Sequence, residues 1–262
     1  EKLIQDCDVV INFAAESFVD RSILDANPFL VSNIRGTYTI LDVIKNKNKK
    51  LIHISTDEVF GSLKTDSADE NFKFNPSNPY SATKASAELI INSYNVTYDV
   101  DSIITRCTNN YGPMQFPEKL IPKTILLASQ NKNIPVYGNG KNIRDWIFVT
   151  DHCNAILDIM QNGKYQQSYN ISAHNAIDNI TIVKQILSKM DCSLDLIEFV
   201  EDRPGHDDRY ALDSSKIRNE LNWSESKNFE DGLQITIDWY LNNAEWYKEL
   251  SSDVFKTTPW KN

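Results

Sequence analysis

Short apolar runs constrain this chain more than any other feature. "CDVVINFAA" (7–15), "KLIHIST" (50–56) and "DSIITRC" (101–107) are nearly continuous in apolar and β-branched residues, as strands buried on both faces require. Between them lie helical stretches. Residues 22–46 space Ile34, Tyr38, Leu41 and Ile44 along one face, and residues 80–98 follow a helix-starting Pro79. Strands joined by helical crossovers run parallel, so the alternation predicts an α/β chain with a doubly wound parallel sheet.

Beyond about residue 110 the pieces shorten. The pattern predicts a helix over 117–130, two strand-like segments around an Asn-Gly-rich turn within 134–149, and a helix from Asp151 to about Asn162. A strand at 168–172, a helix at 179–190, a strand at 194–200 and helices near 214–221 and 229–243 follow. We therefore expect residues 1–110 to be mainly sheet domain, and 111–262 mainly a smaller, interleaved lobe with some segments returning to the sheet.

Composition excludes several classes. A formal net charge of −9 over 262 residues disfavours a nucleic-acid surface. No apolar run approaches the roughly 20 residues of a membrane helix, and no signal peptide is visible at the start. Cys7, Cys107, Cys153 and Cys192 lack metal or redox spacing, and His53, His152, His174 and His206 form no ligand cluster. A reducing cytoplasm and no metal are the expectation. The chain opens with Glu1 and reaches a mid-sheet strand almost at once, which suggests that a segment precedes it.

The chemistry gathers where the strands end, the usual ligand crevice of an open α/β sheet. In "NPYSATKASAE" (78–88) Tyr80 and Lys84 share a helix face at i and i+4. An ammonium beside a phenol lowers its pKa of about 10 and turns it toward a base. "STDEVFG" (55–61) adds Ser55, Thr56, Asp57 and Glu58 at the end of the preceding strand. Two carboxylates, a hydroxyl, a phenol and an amine suffice for several proton transfers, more than alcohol oxidation needs.

Other segments carry a resemblance. "AAESFVDRSI" (14–23), "STDEVFG", "PYSATKASAE" (79–88), "NNYGPMQFPEKLIP" (109–122), "YGNGKNIRDW" (137–146), "YNI" (169–171) and "EDRPGHDDRYALD" (201–213) together resemble the extended short-chain dehydrogenase/reductase family. Within it they are most similar to the nucleotide-sugar 4,6-dehydratases that act on dTDP-glucose. The resemblance implies a Rossmann-like fold, NAD cycling internally, and dehydration to a 4-keto-6-deoxy sugar for deoxysugar and rhamnose precursors. It implies Tyr80 as base for the 4-hydroxyl, Lys84 as its partner and cofactor contact, and Thr56 on the 4-oxygen. Glu58 becomes base at C5 and Asp57 acid for the departing 6-hydroxyl. Ala14, Ala15, Asn33 and Ser55 join Tyr80 and Lys84 at NAD. Ser17, Thr56, Asn109, Glu118, Lys119, Leu120, Tyr137, Arg144, Arg203 and His206 fall on the nucleotide-sugar side.

Two departures stand out. Phe18 occupies a position where the family commonly has histidine. The Gly-x-x-Gly-x-x-Gly turn that receives the NAD pyrophosphate is absent, and about 60 residues, two βα units, are expected to be missing with it. Rival readings are a UDP-glucose dehydratase, an epimerase or decarboxylase on the same fold, and an inactive fragment that binds nucleotide or dimerises. Relatives dimerise through their long helices, here 22–46 and 80–98.

Overall fold

The β-branched runs form strands, and their registers in the main sheet are parallel throughout. The computed structural model describes residues 2–261, apart from the side chains of Leu3 and Ser252. Glu1, which prompts the expectation about the chain's beginning, and Asn262 lie outside the described residues. A short α1 (Lys2–Gln5) leads into β1 (Val9–Asn12). Where spacing predicts one helix over 22–46, the chain instead makes α2 (Val19–Leu24), a single turn α3 (Asn27–Phe29), a π-helical turn (Leu30–Arg35) and α4 (Gly36–Ile44). The break has a local cause. Pro28 cannot continue the amide ladder of α2, and Asp25 ahead of it is extended, at φ −149° and ψ 111°.

The next elements fall where predicted: β2 (Lys50–Thr56), α5 (Pro79–Tyr98) and β3 (Ser102–Cys107). The remainder is β4 (Asn109–Tyr111), α6 (Leu120–Ser129), β5 (Ile134–Tyr137), β6 (Ile143–Phe148), α7 (Val149–Asn162) and β7 (Gln167–Ile171). It continues through β8 (Ala176–Asp178), α8 (Asn179–Lys189), β9 (Ile197–Val200), α9 (Ser215–Leu221) and α10 (Phe229–Asn242). The strand predicted at 194–200 begins as a 3₁₀ turn, Leu194–Leu196. Three-residue strands such as β4 and β8 are too short to leave a periodic signal.

The main sheet has the order β1-β2-β3-β7, every pair parallel. Side chains alternate across it: Ile104 packs with Leu41, Ile44 and Ile91 from α4 and α5, while Ile103 packs with Ala155 and Ile159 from α7. Both faces are therefore covered, which explains the continuous apolar runs. Each fully buried aliphatic side chain contributes about 1.5–3 kcal/mol. β7, from the C-terminal half of the chain, pairs with β3 in this sheet.

The rest of the C-terminal half builds its own core. β4, β6 and β8 form a second sheet, and β5 pairs with β9. The two strand segments around the Asn-Gly turn do not pair with each other; β5 takes β9 and β6 sits between β4 and β8. Ile121 and Ile125 of α6, Phe148, Ile182 and Ile186 of α8, and Leu233 and Ile237 of α10 close this second core.

Candidate active site

Thr56, the last residue of β2, caps the 3₁₀ turn Asp57–Phe60. Its Oγ1 accepts from the Glu58 amide at 3.3 Å and donates to Asp57 Oδ1 at 3.1 Å. A tight turn sends consecutive side chains in different directions. Asp57 is buried at 4% exposure, while Glu58 is half-buried and opens into a cleft. Gly61 ends the turn at φ +67°, where a Cβ would lie 2.1 Å from the Asn75 carbonyl oxygen. Glycine is what lets residue 75 return so close.

Helix α5 brings its first turn to the same place. Asn78 caps it reciprocally with Ser81, Pro79 fills a first-turn position, and Asn78 Nδ2 donates to Glu58 Oε2 at 3.4 Å. The Tyr80 amide donates to Ser22 Oγ at 3.2 Å, and its ring meets the Phe29 ring edge-on at 6.3 Å. Farther along, Glu88 pairs with Arg106 of β3 at 2.7 Å and accepts the Ser55 hydroxyl at 2.5 Å. The Ser55 hydroxyl is thus turned to α5, where it helps fix the helix against the sheet. Lys84 Nζ donates to the Ile54 carbonyl at 2.6 Å.

Burial governs the electrostatics. Desolvation first, and Glu58 beside it second, push the Asp57 carboxyl up to about 8, and its Oδ2 is buried with no hydrogen-bond partner among the described residues. Asp57 is therefore largely a neutral acid at pH 7. The Tyr80 phenol is held well above its usual value by burial, reinforced by Glu58 and opposed by a hydrogen bond with Thr56. Sequence reasoning has Lys84 lowering that phenol. Here the effect of burial on the tyrosine is larger, and burial also brings Lys84 itself down to about 8.

Asn33 lies inside the π-helical turn and is 1% exposed. Its side chain accepts from the Glu16 amide at 2.9 Å, donates to the Glu16 carbonyl at 3.0 Å, and donates to Thr83 Oγ1 at 2.9 Å. It therefore fixes the loop after β1 to α5. In that loop Ala14 is exposed, Ala15 is half-buried, and the Ala14 amide donates to Asn12 Oδ1 at 3.2 Å.

The cleft encloses about 980 Å³, part of it open to solvent. Glu58 and Asn109 line one side; Ser17, Glu118, Lys119 and Leu120 line another. Tyr137, Arg144, Arg203 and His206 complete the wall expected to face a nucleotide. Thr56, Asp57, Tyr80 and Lys84 are buried, with Asp57 and Tyr80 close enough to Glu58 of the lining to feel its charge. Arg203 pairs with Asp20 at 2.7 Å, its Nε is buried without a partner among the described residues, and Tyr137 donates to the other Asp20 oxygen at 2.8 Å. Lys119 Nζ donates to the Ser17 carbonyl at 2.7 Å. His206 is neutral, brought down to about 4 by burial and by Arg203 and Arg144, although Asp202 stands 2.6 Å away.

Sequence reasoning missed Asp20, Lys123 and Tyr210, all in the cleft wall. Asp20 lies within "AAESFVDRSI" and Tyr210 within "EDRPGHDDRYALD", but the contact that joins Asp20 to Arg203 spans 183 positions and no local pattern marks it. Lys123 is buried and donates to the Lys256 carbonyl at 2.7 Å; nothing local in the sequence marks it.

The sequence and the fold match known proteins closely. Residues 1–236 match the family model of GDP-mannose 4,6 dehydratase. The low-salt glycan biosynthesis protein Agl12 of Haloferax volcanii is 46% identical over 94% of this chain and 79% of its own length. A dTDP-glucose 4,6-dehydratase of Mycolicibacterium smegmatis is 43% identical over 96% of this chain and 77% of that protein. The crystal structure of DesIV, the dTDP-glucose 4,6-dehydratase of Streptomyces venezuelae with NAD and TYD bound, superposes with a TM-score of 0.94 at 38% identity, covering 95% of this chain and 78% of that one. The class is a Rossmann-like α/β nucleotide-sugar dehydratase. The chain belongs to the family that this model describes, among the dTDP-glucose 4,6-dehydratases.

Proposed function

We infer that the protein removes water from dTDP-glucose and yields dTDP-4-keto-6-deoxyglucose. The observation that carries this reading is the Asp57–Glu58 turn: one carboxyl buried and raised to about 8, its neighbour half-buried in the cleft, both against Tyr80. Oxidation of an alcohol needs a base at Tyr80 and nothing more. An acid and a base side by side are the equipment of elimination.

The residues fit the reactive half of NAD. Exposed Ala14 leaves room beyond the end of β1, and Lys84 carries three donors, one of which meets the Ile54 carbonyl oxygen. Tyr80 stands four residues from it on the same helix face. NAD, when bound, would supply the hydride acceptor for C4 and the hydride donor for C6. Ala14, Ala15, Tyr80 and Lys84 would hold its nicotinamide riboside, with Asn33 and Ser55 positioning the loop and helix around it.

Within that frame Tyr80 accepts the proton of the 4-hydroxyl, helped by positive charge entering a site where burial otherwise keeps the phenol neutral. Thr56 orients the 4-oxygen. The 4-ketone acidifies C5–H; Glu58 takes that proton as Asp57 gives its own to the departing 6-oxygen, forming water. As hydride reaches C6, Glu58 gives a proton back to C5, and exchange with solvent removes the Tyr80 proton and restores that of Asp57. Arg144 and Arg203 offer guanidinium donors to a diphosphate, with Lys119 beside them. Ser17, Asn109, Glu118, Leu120, Tyr137 and His206 shape the sugar and base subsites. In this division residues 1–110 serve mainly the cofactor and 111–262 mainly the substrate.

The test is incubation with dTDP-glucose while following the alkali-induced absorbance of a 4-keto sugar; unchanged C6 chemistry defeats the reading and favours an epimerase. Competition between dTDP- and UDP-glucose in one assay decides the nucleotide. We also place the protein in the cytoplasm as a homodimer. Among the described residues no helix is long and apolar enough to cross a membrane. Tyr38 of α4 and Leu89 and Val96 of α5 are 46%, 58% and 89% exposed, an apolar surface suited to a second copy. A monomeric mass by light scattering at micromolar concentration would rule the dimer out.

A further inference from the structure

The elimination leaves a proton on Glu58, and the structure connects that carboxylate to solvent through groups the mechanism does not otherwise use. Tyr210 OH lies 3.2 Å from Glu58 Oε2 and 2.6 Å from Asp207 Oδ2. The same Asp207 oxygen accepts the hydroxyl of Ser77, whose residue is exposed at the surface. Asp207 is only 5% exposed, and this hydroxyl joins its carboxylate to a surface residue.

The connection is held in place from several sides. Asn142 Nδ2 and Arg144 Nη2 donate to the Asp207 carbonyl at 3.2 and 2.9 Å, and the Arg144 guanidinium stacks over the Tyr210 ring at 4.3 Å. Gly205, at φ +64°, passes so near that a Cβ would stand 2.8 Å from the Ser77 carbonyl oxygen. That close approach brings the 205–210 segment onto the residue preceding the α5 cap.

We propose that Ser77, Asp207 and Tyr210 form a proton relay that exchanges the proton of Glu58 with bulk water, with Asp207 as its central positioning residue. This rests on the reading of Glu58 as the C5 base. The balance is closed. The Glu58 O–H bond breaks as a Tyr210 O–H forms; the original Tyr210 O–H breaks as an Asp207 O–H forms. Asp207 passes its proton to the Ser77 hydroxyl, which gives its own to water. No electrons are lost or gained, and the same steps in reverse return a solvent proton. Burial keeps the Tyr210 phenol well above its usual value, so it hands protons on while remaining neutral overall.

The experiment is turnover of dTDP-glucose by the full-length NAD-bearing protein in heavy water, reading deuterium at C5 of the product by NMR. The native protein incorporates solvent deuterium. Asp207→Asn lowers the deuterated fraction by about tenfold, while the first reduction of NAD and the KM change little. A merely structural defect would move all of these together. Native-level C5 deuteration in folded Asp207→Asn overturns the relay. Should that variant not fold, surface variant Ser77→Ala decides: reduced deuteration supports the path and native deuteration overturns it. Glu58→Gln separates the two readings. If it still exchanges C5, the base assignment fails; if it abolishes exchange while Asp207→Asn retains it, only the relay fails.

Discussion

Thr56, Asp57, Glu58, Tyr80 and Lys84 come from one strand–turn–helix unit, whereas Lys119, Tyr137, Arg144 and Arg203 on the opposite wall come from separate segments of the second half. The first group is placed by backbone geometry: a capped turn, a capped helix and the parallel register of β2 and β3. The second is placed by mutual contacts, with Asp20 gripping Arg203 and Tyr137, and Ser17 holding Lys119. Reacting groups demand tight geometry and sit on rigid elements. Tyr137 and Arg144 stand on β5 and β6, Lys119 just before α6 and Arg203 in a loop, so this group is assembled from four separate elements.

That contrast is sharpest at Tyr80. Tyr80→Phe should lower kcat by about 10³-fold with little change in thermal midpoint, because only the proton acceptor is removed. A loss below tenfold, measured with protein of native circular dichroism, would break the comparison by removing the phenol from the chemistry. Asp57→Asn and Glu58→Gln should each cost about 10²-fold in product formation. Absorbance of reduced nicotinamide should nevertheless still appear, since C4 oxidation precedes their step.

On the opposite wall the signature changes to binding. Arg203→Ala should raise KM about tenfold, the effect of losing one charge-assisted contact, with kcat within about threefold of native. A kcat collapse with unchanged KM would show that the two walls do not divide the work this way.

Asp57 also sets a pH dependence. Its folded pKa, about 8, lies above the unfolded value near 3.8, so the native state binds the extra proton between those limits and stability falls as pH rises through that window. Asp57→Asn should therefore gain thermal stability relative to native as pH goes from about 5 to about 9, by up to roughly 4 kcal/mol or about 8 °C. Product formation by the native protein should decline above about pH 8 as the acid ionises. The smallest effect expected is at Asn33. Asn33→Ala should cost about 1–3 kcal/mol in chemical denaturation, because half-buried Glu16 and buried Thr83 lose their hydrogen bonds.

Much of the first wall was legible from residue order alone. Parallel strands follow from continuous β-branched runs, the helix start from Asn78-Pro79, and the shared face of Tyr80 and Lys84 from a spacing of four. Local rules reach that far because every one of these contacts lies within one βα unit. They did not reveal the broken helix at Asp25, where one extended residue and a proline outweigh an amphipathic pattern. Nor did they reveal the pairing of β5 with β9, since residues 134–137 meet 197–200 only after the second core closes.

Sequence by itself determined which chemical groups are present and which of them share a turn or a helix face. Tertiary structure decided their protonation, because burial is a property of the packed assembly: it keeps Asp57 an acid, holds Tyr80 neutral, and turns Ser55 toward Glu88. It also joined Ser77 to Asp207 across 130 positions of chain, a contact that no periodicity encodes.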